Sequence, residues 1–132
     1  MKTSGFLTIA IFSNIVFFVV FIYLKGIDIT LSLLLFGVAF SIVNGILEEI
    51  IWRGILLRRF MESTGELQGM IVSSVGFGLQ HISIGIPIVP SLLLSIGGVF
   101  FAVIVLRTDS LYPSMIWHIV INMGMVFSGM IV

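Results

Sequence analysis

The sequence predicts an all-α membrane protein, a polytopic helix bundle with about five transmembrane helices and a cytoplasmic N-terminus. Hydrophobic residues make up 59% of the 132 positions and charged residues only 9%, and the mean hydropathy is +1.30. Soluble domains carry about 25% charged residues, so lipid rather than water should cover most of this chain. Long apolar stretches recur along the sequence, and only short polar connections separate them.

Five apolar stretches approach the roughly 20 residues that span a hydrocarbon core of about 30 Å. These candidate spans cover residues 6–24, 30–60, 67–84, 88–106 and 110–132. A continuous helix over the second stretch would be about 46 Å long at ~1.5 Å per residue, so its charged end should extend beyond the hydrocarbon. Glycine, proline and charged residues mark the connections between the spans.

The basic residues of the short loops predict the orientation, because Lys and Arg in such loops stay on the cytoplasmic side. With the N-terminus inside, Lys2, Arg58, Arg59 and Arg107 lie in the cytoplasm and only Lys25 lies outside. No repeat or linker divides the sequence, so we expect a single membrane domain over residues 1–132. We expect residues 1–29 to form its first span, which carries no motif, and residues 30–132 to form the core that holds the motifs described below.

The composition also excludes several classes of function. Six basic residues balance six acidic ones, so no net charge favours nucleic acid as a partner. Cysteine is absent, which excludes thiol catalysis and thiolate metal sites. The sequence contains no HExxH, GxGxxG or P-loop motif and no serine in a nucleophile-elbow sequence, so a hydrolase of this kind would use water as its nucleophile.

Three charged residues of the second span, Glu48, Glu49 and Arg53, precede its charged end and should lie within the membrane, where each costs about 2.5 to 3.5 kcal/mol on insertion scales. Glu49 and Arg53 are four residues apart and share a helical face, so we expect them to pair. Glu48 points about 100° away from that face and should face a cavity.

Stripes of small and polar residues mark the faces on which three of the helices should pack. They comprise Gly37, Ser41 and Gly45 in the second span, Ser73, Phe77 and His81 in the third, and Ser110, Ser114, His118 and Asn122 in the fifth. At ~1.5 Å per residue, Glu48, His118 and His81 lie roughly 15, 17 and 21 Å from the cytoplasmic ends of their helices. Their side chains should therefore meet in one layer, which suits hydrolysis of an acyl bond.

Three short motifs carry a resemblance to a known family. Residues 48–53 read EExxxR, residues 77–81 read FxxxH and residues 118–122 read HxxxN. In this order, each on a predicted span, they resemble the CAAX protease and bacteriocin-processing (CPBP) family of intramembrane glutamic endopeptidases, which includes the type II CAAX prenyl endopeptidases. The resemblance covers roughly residues 37–130.

The resemblance implies catalytic roles for four residues. Glu48 would activate a water molecule, and His81 would hold or polarise that water. His118 and Asn122 would stabilise the oxyanion that forms when water attacks.

The resemblance also implies site-bracing roles for Glu49, Arg53 and Phe77. The implied substrate is a membrane-associated or hydrophobic peptide or protein, prenylated if the host is eukaryotic, and the other partner is the lipid bilayer. The compact chain favours a prokaryotic cell membrane, with an active site that opens toward the cytoplasm. Because family members usually have more than five helices, three explanations stay open: a minimal version of the family, a truncated one, or a helix set that formation of a homo-oligomer completes.

Three alternatives stay open at the level of sequence. A zinc ion held by Glu48, His81 and His118 could supply the water, although the resemblance implies no metal or other cofactor, and Asn122 suits an oxyanion donor better than a ligand. The chain could instead be a non-enzymatic scaffold or bacteriocin-immunity protein that keeps its polar layer for helix association. It could also be a small proton or ion transporter that uses the same residues as a relay.

Overall fold

The computed structural model describes residues 2–131, and within them the regular structure is helical, without a β-strand. The elements are α1 (Thr3–Lys25), α2 (Leu31–Glu49), a π-helical segment (Ile50–Leu56), α3 (Leu57–Thr64), α4 (Glu66–Leu79), a 3-10 helix (Gln80–Ile84), α5 (Ile88–Thr108) and α6 (Tyr112–Phe127). Helix occupies each of the five stretches that the sequence predicts, and the all-α prediction is confirmed.

Three helical stretches among the described residues are long and apolar enough to cross a membrane. They are Thr3–Lys25, Leu31–Thr64 and Ile88–Thr108. These stretches correspond to the first, second and fourth predicted spans and support the prediction of a membrane protein. The helices α4 and α6 have 14 and 16 residues, fewer than the roughly 20 that a full span requires.

The second stretch is one continuous helix whose hydrogen bonding changes midway. Between α2 and α3 the N–H of Leu57 donates to the carbonyl of Trp52, five residues earlier. This pattern defines a π-helix, which widens the turn and is frequent at functional sites. The helix continues to Thr64, beyond the predicted end at residue 60, and stops at Gly65. The φ of Gly65 is 92°, a value that glycine adopts readily because it has no Cβ atom.

Two predicted helices are shorter than the apolar pattern indicates. The third ends at Leu79 rather than at residue 84, because a 3-10 helix follows and closes at Gly85, whose φ is 94°. His81 therefore lies on the 3-10 helix and not on the stripe of α4. The fifth begins at Tyr112, so Ser110 precedes the helix, where its Oγ accepts a hydrogen bond from the Tyr112 N–H at 3.3 Å.

The described residues divide into two compact units. The first unit comprises the described residues of Met1–Leu47 and Met115–Val132, and it holds α1, most of α2 and most of α6. The second unit comprises Glu48–Ser114, which holds the π-helical segment, α3, α4, the 3-10 helix and α5. The expectation of a single membrane domain stays a prediction.

In the first unit the small-residue stripe of α2 is a packing surface for α6. A Cβ atom at Gly37 would collide with the ring of Phe127, and one at Gly45 would lie 2.8 Å from the side chain of Ile119. Ser41, between the two glycines, is completely buried. The sequence prediction that this stripe admits another helix is therefore confirmed.

In the second unit α4 packs against both α3 and α5. Gly78 permits the approach to α5, because a Cβ atom there would collide with the backbone and side-chain atoms of Ser91 and Ser95. The apolar core of this unit is made by Leu57, Phe77, Phe101, Ala102, Ile104 and Val105. This packing fixes the helices from which the candidate site is built.

Candidate active site

A fully buried ion pair anchors the second unit. Nη1 of Arg53 and Oε1 of Glu49 are 2.9 Å apart, and the two side chains are 1% and 0% exposed. Residues four apart on a helix share a face, so the pairing predicted from the spacing is confirmed. With solvent removed, each charge depends on the other and on hydrogen bonds from the surrounding protein.

Two neighbouring groups, one donor and one acceptor, form hydrogen bonds with the buried ion pair. Ser114, in the first turn of α6, donates its hydroxyl proton to Oε2 of Glu49. Nη2 of Arg53 donates to the carbonyl of Gly98 on α5 at 3.3 Å. The sequence placed Ser114 on a packing stripe, and the structure adds a polar contact that the sequence analysis missed.

Two phenylalanine rings enclose the Arg53 guanidinium. Its Cζ atom lies 4.1 Å from the centroid of Phe77 and 5.0 Å from that of Phe101. The face of an aromatic ring attracts a cation, so the rings stabilise a charge that burial otherwise disfavours. Phe77 also meets the ring of His81 edge to face at 5.2 Å, which connects the ion pair to the FxxxH histidine.

A chain of two side-chain hydrogen bonds holds Glu48. Nε1 of Trp52 donates to Oε1 of Gln80 at 2.8 Å, and Nε2 of Gln80 donates to Oε1 of Glu48 at 2.9 Å. Glu48 and Gln80 are both half-buried. Sequence reasoning missed Gln80, whose one available signal is its position directly before His81.

The π-helical segment sets the position of Trp52. The Trp52 carbonyl accepts both the N–H of Leu57 and the hydroxyl of Ser73, the latter at 3.2 Å. Its indole lies against Gly76, where a Cβ atom would be only 2.8 Å from the ring, and meets Phe77 edge to face. Hydrogen bonds therefore fix the backbone of Trp52, ring contacts fix its indole, and the indole N–H points at Gln80.

His81 is anchored to the end of α4 through one ring nitrogen. Its Nδ1 lies 2.9 Å from the carbonyl oxygen of Phe77 and 3.3 Å from that of Gly78. Carbonyl oxygens only accept hydrogen bonds, so Nδ1 carries the proton. In the neutral ring Nε2 is then the acceptor nitrogen, which can receive a proton or a hydrogen bond.

The third motif lies on α6 in the first unit. His118 and Asn122 are buried, with 3% and 5% of their surfaces exposed. Nδ2 of Asn122 has no hydrogen-bond partner among the residues that the structure describes. A buried donor without a partner costs about 1 to 3 kcal/mol, so a bound group with an acceptor oxygen would be stabilised there.

A polar contact joins α1 to α6 next to this motif. Nε1 of Trp117 donates to Oδ1 of Asn14 at 2.7 Å, and the Trp117 ring meets Phe6 edge to face at 5.8 Å. Asn14 lies within the otherwise apolar α1, which sequence reasoning treated as a span without a motif. The contact holds the residue that directly precedes His118.

The structure brings part of the predicted site together. The second unit gathers five of the predicted residues, namely Glu48, Glu49, Arg53, Phe77 and His81. His118 and Asn122 belong to the first unit, so their meeting with the others in one layer stays a prediction. Over residues 2–131, no group of three or more His, Asp or Glu side chains is arranged to hold a metal ion.

A cavity of about 440 Å³ in the second unit reaches the buried arginine. It is lined by Arg53, Leu57, Arg58, Met61, Glu62, Val105, Leu106 and Asp109. At its rim Nη2 of Arg58 and Oδ1 of Asp109 are 3.9 Å apart, and both side chains are exposed. The cavity therefore connects the surroundings of the ion pair with the charged ends of α3 and α5.

Comparison with protein families gives a match over most of the chain. Residues 30–124 match the family described as type II CAAX prenyl endopeptidase Rce1-like, and this range contains all three motifs. The match supports, at the level of the family, a CAAX-type intramembrane protease. Comparisons with curated proteins and with solved structures find no match.

Proposed function

The chain belongs to the type II CAAX prenyl endopeptidase Rce1-like family, and we propose that it is an intramembrane endopeptidase in which Glu48 activates water. One observation carries the assignment of roles. Gln80 holds an oxygen of the Glu48 carboxylate, and the adjacent His81 keeps Nε2 as an acceptor because its Nδ1 is bound to the Phe77 carbonyl. A base and a water-orienting imidazole are thus supplied by neighbouring parts of one unit.

In the proposed reaction Glu48 takes a proton from water as the water oxygen attacks the carbonyl carbon of the scissile bond. His81 accepts a hydrogen bond from the same water through Nε2 and so orients it. The new C–O bond converts the carbonyl oxygen into an oxyanion. When this intermediate collapses, the C–N bond breaks and the proton held by Glu48 passes to the leaving nitrogen. The products are a carboxylic acid and an amine, and Glu48 returns to its starting state.

The oxyanion would accept hydrogen bonds from His118 and Asn122. Support comes from the buried Nδ2 of Asn122, a donor without a partner among the described residues. A donor that is already in place when negative charge develops contributes about 10²- to 10³-fold to kcat.

The proposed substrates are hydrophobic or membrane-associated peptides, including prenylated ones, since the family is described as a prenyl endopeptidase. We place the chain in a prokaryotic cell membrane as a multi-pass protein with a cytoplasmic N-terminus. We propose that the substrate enters from the cytoplasmic side, where the basic residues of the short loops would place the charged ends of α3 and α5. The proposed reaction uses no metal ion or other cofactor, and a second copy of the chain could contribute further helices.

The test is cleavage of reporter peptides by the purified protein in bilayer discs. The panel contains hydrophobic peptides with and without a C-terminal prenyl group, and each is assayed with and without a chelator. Glu48→Gln removes the base while it keeps the shape of the side chain, so it should reduce kcat to background. Glu66→Gln, at an exposed position in the first turn of α4, is the matched control and should cleave like wild type.

The outcomes separate the rival functions. Activity that survives chelation but not Glu48→Gln supports a glutamate-activated water. Activity that chelation abolishes and zinc restores contradicts the metal-free mechanism. A folded wild type that cleaves no reporter contradicts the proposal and favours a scaffold, whose biological function Glu48→Gln should preserve. Flux of protons or ions into liposomes that requires Glu48 would instead indicate a transporter.

A further inference from the structure

The orientation of the Gln80 side-chain amide is set by the chemistry of its two neighbours. The indole N–H of Trp52 can only donate, so the group that faces it at 2.8 Å must be the amide oxygen of Gln80. The amide nitrogen then faces Oε1 of Glu48 at 2.9 Å, where a carboxylate oxygen accepts. A flipped amide would place two donors against each other at Trp52, so one orientation is strongly preferred.

Hydrogen bonds to backbone carbonyl groups fix the two segments that carry Gln80 and Trp52. Gln80 begins the 3-10 helix, and His81 beside it is bound through Nδ1 to the carbonyl of Phe77. Trp52 lies in the π-helical segment, where its carbonyl accepts a hydrogen bond from Ser73 on α4. Two departures from regular α-helix, the π-helical segment and the 3-10 helix, therefore direct the indole toward Gln80 and the Gln80 amide toward Glu48.

We propose that Gln80 is a positioning residue that fixes the Glu48 carboxylate through its amide N–H, and that Trp52 sets the direction of that amide. This inference rests on the proposed function, because it assigns Gln80 to the placement of the base. A glutamate side chain has three rotatable bonds, and a hydrogen bond to one oxygen restricts the carboxylate to a narrow set of positions. Displacement of a catalytic group by about 1 Å can reduce the rate about 100-fold.

The kinetic test compares variants that differ in one hydrogen bond. Gln80→Met keeps the length of the side chain and removes both hydrogen bonds, so kcat should fall about 10- to 100-fold while KM stays within about threefold. Gln80→Glu keeps the acceptor for Trp52 but faces Glu48 with a carboxylate oxygen, and it should lower kcat at least as far. Gln68→Met is the matched control, because the other glutamine of the chain lies exposed in the first half of α4.

Trp52→Phe provides a second variant, which loses the indole donor and keeps an aromatic ring that is smaller than the indole. It should reduce kcat less than Gln80→Met does, and it should add little further loss when combined with Gln80→Met. If Gln80→Met does not fold, the comparison of Trp52→Phe with wild type still tests the proposal. Wild-type kcat in Gln80→Met, or in Trp52→Phe when Gln80→Met cannot be assayed, would overturn it.

A second measurement does not depend on proteolysis. The chain contains two glutamines and three asparagines, so nitrogen-15 NMR gives five pairs of side-chain amide signals. The pair that is lost in Gln80→Met belongs to Gln80, and the pair that is lost in Gln68→Met belongs to Gln68. The Gln80 amide signals should move in Trp52→Phe and in Glu48→Leu, while the Gln68 signals should not. Unchanged Gln80 signals would overturn the inference. A wild type that cleaves no reporter contradicts the proposed function instead, and the NMR result still decides whether Gln80 holds Glu48.

Discussion

Oε1 of Glu49 lies 2.9 Å from Nη1 of Arg53, and the pair is closed to solvent. Ser114 contacts the carboxylate, and the carbonyl of Gly98 accepts from the guanidinium. Removing a charge from water costs several kcal/mol, which mutual attraction and these hydrogen bonds offset. The ion pair is therefore a fixed connection between the π-helical segment, α5 and the start of α6, and the loss of one partner leaves the other charge buried.

The first prediction concerns this ion pair. Glu49→Gln should lower the free energy of unfolding by about 3 to 5 kcal/mol, because Arg53 stays charged and buried without its counter-ion. Thermal unfolding in detergent measures the change. Glu62→Gln is the matched control, since the exposed pair of Glu62 with Arg59 should contribute less than about 1 kcal/mol. Equal unfolding temperatures for the two variants would refute the prediction.

The second prediction concerns the contact between α4 and α5. Gly78→Ala should destabilise the protein by about 1 to 3 kcal/mol, because the new Cβ would collide with Ser91 and lie 2.6 Å from the backbone nitrogen of Ser95. Gly97→Ala should be neutral or stabilising by up to about 1 kcal/mol, because no atom lies within 4 Å of its Cβ position. The unfolding temperature should therefore fall in Gly78→Ala and stay level or rise in Gly97→Ala, and an equal fall in both variants would contradict this view of the packing.

The third prediction concerns the contact between α1 and α6. Asn14→Leu removes the acceptor of the Trp117 indole and should cost about 0.6 to 2 kcal/mol, the range for hydrogen bonds between membrane helices. Trp117 fluorescence in a Trp52→Phe background should report the altered environment of the indole. Ser13→Ala is the control, because the hydroxyl of Ser13 bonds only within its own helix, to Ile9 and Ala10. An unshifted emission spectrum in Asn14→Leu would count against the contact.

The fourth prediction separates function from stability at Asn122. Asn122→Leu should lower kcat about 10²- to 10³-fold, because it removes a donor assigned to the oxyanion. The unfolding temperature should be equal to or above that of wild type, because the buried Nδ2 has no partner among the described residues. A destabilised variant would indicate a structural role for the amide. A stable variant with wild-type cleavage would remove Asn122 from the proposed mechanism.

The helices were largely predictable because an apolar segment in lipid must satisfy its backbone hydrogen bonds internally, and a helix does so. The helix ends were less predictable. The helix α3 ends at Thr64, four residues after the predicted limit of the second span, because Gly65 follows. Gly85 closes the 3-10 helix that cuts the third span short. The π-helical segment left no signal in the apolar pattern, because one altered turn changes hydrogen bonding without changing composition.

The candidate site was predictable where its members are close in sequence. The spacing of Glu49 and Arg53 on one helix was sufficient to predict their ion pair. The hydrogen bonds of Gln80 to Glu48 and of Ser114 to Glu49 were not predictable, because these partners are 32 and 65 residues apart. A polar residue in an apolar stretch indicates that it needs a partner but does not identify that partner.

The sequence by itself determined that this chain is an all-α membrane protein and that its charged and polar residues mark three motifs. Hydrophobicity and helical spacing are local properties, so they can be read from neighbours along the chain. Only the tertiary structure decided that Gln80 holds Glu48, that Ser114 and Phe77 contact the Glu49–Arg53 pair, and that Asn14 accepts from Trp117. Such pairings depend on how close two helices approach and on the direction of each side chain, which the packing of all the helices sets together.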